Sequence, residues 1–237
     1  MFQIATAISL AKNNSDEVAF PEWKYAQCFE NNYKSKKGST AFVFKESGFH
    51  YTQIPYRPNM AIDGYFQSEK YFIDNESVVR SFFEPKNEIK EKILNKWGHR
   101  IESDCSIHVR RGDYVNLQDH HPLQTVDYYM KAAKKITKSN IGKIKFIVFS
   151  DDIEWCKQNF PLDLYDFIFV DDQEDYEDLF MMSMCKHNII GNSSFSWWGA
   201  WLNNNKEKIV ISPKNWFGKA KIDHDTKDLY CDDWIKM

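Results

Sequence analysis

No two cysteines in this 237-residue chain have C-x-x-C spacing, which removes zinc-knuckle and thioredoxin-type readings. Cys28, Cys105, Cys156, Cys185 and Cys231 are odd in number and far apart, so they read as buried free thiols in a reducing compartment. The sequence has no apolar run of roughly 18 residues, hence no expected transmembrane helix. It has no basic segment leading into a short apolar one, hence no expected signal peptide. The expected location is cytoplasmic, or peripheral to a membrane. Charge of one sign is also missing: the net charge is only −3. That argues against bulk capture of nucleic acid or anionic lipid, so any anion site must be a local pocket. G-x-G-x-x-G, the P-loop and the G-x-S-x-G elbow are all absent, which sets aside their nucleotide and hydrolase chemistries.

What is abundant is aromatic: 18 Phe, 12 Tyr and 8 Trp favour packed cores and stacking surfaces over disorder. Along the first half, Phe2, Ile4, Ala5, Ile8 and Ala11 predict a helix stopped by Asn13 to Asp16. Short strands are expected over Glu17 to Phe20, Phe42 to Glu46 and Met60 to Phe66. The basic run Lys34-Ser35-Lys36-Lys37-Gly38 reads as a solvated turn. A short helix capped by Asp74 should end near Pro85, and Asn87 to Trp97 should form a charged amphipathic helix. Gly98-His99-Arg100 is then the expected hinge, giving domains over 1–98 and 99–237.

The second half alternates strand and helix. Strands are expected over Cys105 to Val109, Lys143 to Phe149, Asp166 to Val170, His187 to Ile190 and Lys208 to Ile211, the last closing the series. Helices are expected over Thr125 to Thr137, Ile153 to Asn159, Tyr176 to Met184 and Ser196 to Leu202. That alternation means βαβ units and a parallel sheet whose continuously apolar strands are buried on both faces. The polar strand ends then share one edge.

On that edge the first strand releases His108-Val109-Arg110-Arg111-Gly112-Asp113-Tyr114. A guanidinium fork fits a phosphate bidentately and keeps its charge, and open α/β sheets bind ligands at this edge. The glycine permits a sharp turn. The second end is Ser150-Asp151-Asp152, whose carboxylates suit a base edge or ribose hydroxyl, or simply cap the next helix. The third, Asp171-Asp172 with Glu174, Asp175, Glu177 and Asp178, reads mostly as acids favoured in a helix's first turn. The fourth, Gly191-Asn192-Ser193-Ser194-Phe195-Ser196, supplies more hydroxyls than one cap needs and so reads as a phosphate-binding loop. Trp197, Trp198 and Trp201 read as core. Two arginines already carry the charge that a divalent cation would bring, so no metal is expected.

These segments together resemble α-1,2-fucosyltransferases of glycosyltransferase family 11. The resemblance rests on His108 to Tyr114, Phe149 to Cys156, Asp178 to Ser183, Asn192 to Leu202, Gly64 to Phe72 and Met1-Phe2-Gln3, and so runs essentially end to end. It implies a GT-B-like α/β fold, two Rossmann-like domains facing across a cleft, with GDP-fucose bound by the second. It further implies inverting, metal-independent transfer of L-fucose to the 2-hydroxyl of a terminal galactose on a glycan acceptor, with no cofactor. Residue by residue, Arg110 would hold the β-phosphate of the leaving group and Arg111 the loop or second phosphate. His108 would fix the nucleotide, Asp152 would meet guanine or ribose, and Ser193, Ser194 and Phe195 would embrace the diphosphate. Arg110 and Asp113 are the catalytic candidates, with Asp119, His120 and His121 as alternative bases. The family's Gly-rich loop and the strand before it would precede Met1. On that basis the N-terminal domain is expected to be truncated and this polypeptide weakly active or inactive, unless the upstream residues exist in the gene product. The alternative is a GDP-sugar-binding module without catalysis. Arg111-Gly112-Asp113 as an adhesion tripeptide would need an extracellular setting, which the missing signal peptide argues against.

Overall fold

The computed structural model describes residues 1–31, 40–139 and 143–237, so the basic run at Lys34 to Gly38 lies outside the described residues. The chain forms two compact units, one from 1–87 with 223–232, the other from 88–222 with 233–237. The division falls at Asn87 rather than at Gly98. The helix between those points binds polar side chains of the second unit, Lys92 pairing with Glu177 and the Trp97 indole donating to Gln173 Oε1 at 3.1 Å. Short polar links, invisible to composition, decide the boundary.

In the first unit, helix α1 (Phe2–Asn13) buries Phe2, Ala5 and Ile8 at helical spacing and ends at Asn14. Its other apolar stripe, Ile4, Ala7 and Ala11, lines a cavity of about 630 Å³ with Met60, Ala61 and Ile62. Strands β1 (Phe42–Lys45) and β2 (Met60–Asp63) pair in parallel, Phe42 opposite Met60. The second strand stops three residues before the expected Phe66. There the Tyr65 and Phe66 N–H groups leave the ladder and donate to the Glu46 carboxylate at 2.7 and 3.0 Å. No strand forms over Glu17 to Phe20: Glu17, Val18 and Ala19 are exposed, and only Phe20, a single bridge residue, is buried. Helix α2 (Glu76–Phe82) is preceded by Asn75 rather than capped by Asp74, which sits in a 3₁₀ turn. A ring cluster fills the space beneath, with Trp23 stacked on Phe29 at 5.2 Å and Phe29 edge-on to Phe83 at 5.4 Å.

The second unit opens with α3 (Asn87–Trp97), then runs β3 (Cys105–Val109), α4 (Val126–Ser139), β4 (Phe146–Ser150) and α5 (Ile153–Asn159). It continues with β5 (Phe167–Phe169), α6 (Asp175–Met184), β6 (His187–Ile189), α7 (Ser194–Leu202), β7 (Val210–Ser212) and β8 (Ile235–Lys236). The six strands form one parallel sheet in the order β5-β4-β3-β6-β7-β8. Every residue of β3, β6 and β7 is buried, as helices on both faces require. Two expectations change. The series closes on β8, a two-residue strand beside Ile211 and Ser212 that is too short to show a pattern. The run at Phe167 is an edge strand, only half-buried along its length. All five cysteines are free and buried.

The acids after β5 are structural, as read. Asp171 pairs with Lys157 at 2.9 Å, and Asp178 takes a 2.7 Å bond from the Gln173 amide. Burial nevertheless pushes the Asp178 carboxyl up to about 7 from 3.8. An acid raised on folding stabilises the native state fully below the unfolded value, and that contribution is lost as pH rises through about 7. Asp178→Asn should therefore gain on the parent by about 1 kcal/mol or more between pH 4 and 8 in urea midpoints. Parallel pH slopes for the two proteins would rule this out.

Candidate active site

The sheet order places a crevice where the chain's direction of travel reverses. From β3 the sequence moves outward through β4 and β5, then returns to β6 on the other side of β3. Ligands in open parallel sheets bind at such a switch point, outside the carboxyl ends of the two central strands. Here those ends carry the arginine loop and the serine loop.

His108, on the last turn of β3, is 5% exposed, with its ring 5.4 Å from that of Phe195. Burial first, and the Arg110 charge second, hold its pKa down to about 3, so it is neutral at physiological pH. Its buried Nδ1 has no hydrogen-bond partner among the described residues. Arg110 is forked between two carboxylates, Nη2 to Asp113 Oδ1 at 2.6 Å and Nη1 to Asp151 Oδ2 at 3.0 Å. Its Cζ lies over the Tyr114 ring at 5.4 Å. The Arg111 N–H donates to Asp151 Oδ1 at 2.8 Å and its Nε to Asp152 Oδ2 at 2.9 Å, with the guanidinium 3.9 Å above Trp155. Of the two side chains Arg110 is the more accessible, 35% against 15% exposed.

Asp152 serves two purposes with its two oxygens. Oδ2 holds Arg111, while Oδ1 accepts the Trp155 N–H at 3.3 Å and caps α5. Gly112 matters for space rather than for a left-handed turn, since a Cβ there would overlap the Asp151 carboxylate. Tight approach lets one carboxylate reach both the Arg111 amide and the Arg110 fork.

Across the switch point, the hydroxyl of Ser193 accepts the Phe195 N–H at 3.3 Å, so Ser193 is the N-cap of α7. Ser194 is exposed, Phe195 half-buried. Asn192 is buried and knits three loops: its amide donates to the carbonyls of Pro122 and Trp216 at 3.1 and 3.0 Å and its Oδ1 accepts from Gln124 at 3.2 Å. The Tyr114 hydroxyl donates to the Asn192 carbonyl at 3.2 Å, tying the arginine loop to the serine loop.

The structure thus gathers His108, Arg110, Arg111, Asp113, Asp152, Ser193, Ser194 and Phe195 at the ends of β3, β4 and β6. It leaves Asp171 and Asp172 at the edge strand, where Asp171 takes Lys157 and the Asp172 carbonyl takes Lys96. Among the alternative bases, Asp119 and His120 are exposed, and His121 lies 3.0 Å from the Lys221 ammonium. Sequence reasoning missed Asp151, Trp155 and the ring of Tyr114 as parts of the clamp. The signal for Asp151 lay in strand adjacency: Val109 faces Ser150, so the next residues along, Arg110 and Asp151, are neighbours.

Comparison with known proteins bears on the fold and the family. A structure of POFUT1 in its apo form aligns with a TM-score of 0.53 at 11% identity, over 89% of this chain and 92% of that one. The likeness shows the fold, α/β of the GT-B type with parallel sheets. Alpha-1,2-colitosyltransferase of Escherichia coli is 34% identical over 187 residues, 73% of this chain and 61% of its own length. The O-antigen biosynthesis glycosyltransferase WbnK, also of Escherichia coli, is 39% identical over 137 residues, 56% of this chain and 44% of its own length. The chain spans about half the length of these relatives. No helix among the described residues is long and apolar enough to cross a membrane. The model of glycosyl transferase family 11 matches residues 8–237, a span that contains the arginine loop, the Asp151-Asp152 end and the Ser193 cap, and the chain belongs to that family.

Proposed function

We propose that the protein transfers L-fucose from GDP-fucose to the 2-hydroxyl of a terminal galactose on a glycan. The observation that carries this reading is the Arg110 fork: an accessible guanidinium held by Asp113 and Asp151 at the switch point, opposite the capped start of α7. In the reaction the acceptor oxygen attacks the sugar's anomeric carbon, the bond to the β-phosphate oxygen breaks, and GDP leaves with inversion. Arg110 meets the charge that develops on that phosphate, in an orientation already fixed before substrate arrives. Arg111, gripped by Asp152 and Trp155, braces the loop. Asp113 is the base in this reading. Its Oδ1 is bound to Arg110, while Oδ2 has no partner among the described residues and can take the acceptor proton.

His108 and Phe195 fit the nucleotide. A buried, neutral imidazole nitrogen without a protein partner costs about 1–3 kcal/mol unless a ligand or water meets it. Ser194 and the first N–H groups of α7 face the diphosphate. With the leaving charge met by guanidinium, no divalent cation is called for. Two relatives support the linkage by their names, an alpha-1,2-colitosyltransferase and a galactoside alpha-(1,2)-fucosyltransferase 1 of Ateles belzebuth.

The experiment is turnover by the purified protein, with fucosyl and colitosyl donors against β-galactosides, with and without EDTA, and calorimetric titration of GDP alongside. GDP release that needs a galactoside, favours the fucosyl donor and survives EDTA is expected. GDP binding without release would leave a GDP-sugar-binding module, and no GDP binding would overturn the site assignment.

A further inference from the structure

Beside the arginine loop stands a second cation with no assigned task. Lys221 Nζ lies 3.0 Å from His121 Nε2 and 5.0 Å from the Phe217 ring centre, and among the described residues it has no carboxylate partner. The His121 ring stacks on Tyr114 at 4.5 Å and 17°, and Tyr114 in turn lies beneath Arg110. Four side chains from two loops therefore form one file, Lys221, His121, Tyr114 and Arg110.

The backbone locks that file in place. Gly218 N–H donates to the His120 carbonyl at 3.0 Å and Ala220 N–H to the Asp119 carbonyl at 2.7 Å. A Cβ on Gly218 would overlap the Asp119 carbonyl, so the two loops touch backbone to backbone. At the other end the Tyr114 hydroxyl is fastened to Asn192. Neither ring has room to wander.

We propose that Lys221 and His121 are positioning residues for Arg110, acting through the ring of Tyr114. This rests on the reading above, in which Arg110 holds the leaving diphosphate. An ammonium is a donor only, so at this contact Nε2 must accept and the imidazole carries its hydrogen on Nδ1, a buried atom with no partner among the described residues. A protonated imidazole has no lone pair to offer. The charged lysine and a charged histidine are mutually exclusive, and Lys221 keeps the ring neutral. The neutral ring packs flat on Tyr114 and leaves its π-face to Arg110; an imidazolium would compete for that face and repel the guanidinium.

The groups around His121 act in the same sense on balance. Burial lowers its pKa most, Lys221 next, with smaller lowering from His120 and Arg110, against Asp113, which raises it. Without the lysine, His121 should titrate closer to its ordinary value of 6.5.

The test uses the full chain in three forms: parent, Lys221→Gln and Lys221→Arg. In the parent, nitrogen-15 NMR should find His121 neutral at pH 6 with the proton on Nδ1. Lys221→Gln should bind GDP within about twofold of the parent at pH 7.5 and about fivefold more weakly at pH 6, a cation–π-sized loss. Lys221→Arg should follow the parent at both values. Three results would overturn the proposal: a proton on Nε2 in the parent, a Lys221→Gln profile parallel to the parent's, or an equal loss at every pH, which would make Lys221 a direct ligand contact. The parent's tautomer decides the matter even if Lys221→Gln does not fold. Failure of the underlying reading looks different, because there Arg110→Ala would leave GDP affinity unchanged.

Discussion

Replacing Arg110 with alanine is expected to cut turnover of the GDP-sugar donor about 100- to 1,000-fold, the cost of deleting one preorganised donor to a developing oxyanion. The unfolding free energy should move by no more than about 1 kcal/mol, because the side chain is 35% exposed and its ion pairs are partly screened. Two effects add in the active protein. The phosphate loses its guanidinium, and Asp113 with Asp151 are left facing the incoming diphosphate without their counter-ion. Arg110→Lys separates them: it restores charge but not the two-pronged geometry, so it should recover part of the loss and not all of it. Steady-state kinetics with calorimetric GDP affinities read both quantities. Turnover within about threefold of the parent, under about 0.7 kcal/mol of barrier, would show that Arg110 does not meet the leaving group.

The geometry around Arg110 explains which parts of the site could be read before the fold was known. The strand at Cys105 to Val109 shows its polar end plainly, because Ile107 and Val109 alternate with Ser106 and His108 until two arginines break the pattern. The same holds for Phe146 to Ser150 and for the cap at Ser193. What one strand cannot show is its neighbour. Sequence alone leaves Asp151 between two roles, and the register of Val109 against Ser150 settles its partner at once. Asp171 and Asp172 also end a strand, and composition alone reads them as structural. The strand order puts them one step farther from the switch point, where Lys157 takes Asp171. The terminal strand at Ile235 has no sequence signature, because two residues carry no period. The unit boundary near Asn87 is not legible in composition, because Lys92 and Trp97 join the second unit through polar contacts with Glu177 and Gln173. Role-sharing is equally hidden in a sequence: a carboxylate has two oxygens, and Asp152 uses one as a cap and the other on Arg111.

The largest expected loss of stability comes from Trp197. It is fully buried on α7, stacked on Trp201 at 6.2 Å and 10°, edge-on to Trp198 at 5.2 Å, and 5.4 Å from Trp234. Behind it α7 packs so tightly on α6 that a Cβ at Gly199 would sit 3.0 Å from Met182. Neither helix can close on a void, so Trp197→Ala should cost about 3–5 kcal/mol. Set against a typical total of about 5–15 kcal/mol, that loss threatens the whole second unit. Because α7 begins at the Ser193 cap, the serine loop should lose its order with the helix. Ser193→Ala, which removes only the cap, should cost about 1 kcal/mol and leave the tryptophan packing intact. Urea unfolding followed by tryptophan fluorescence distinguishes the two. A Trp197→Ala protein that kept its midpoint but lost GDP would turn the tryptophans from core into a stacking surface for the nucleotide, and the nucleotide's place at the switch point would have to be redrawn around α7.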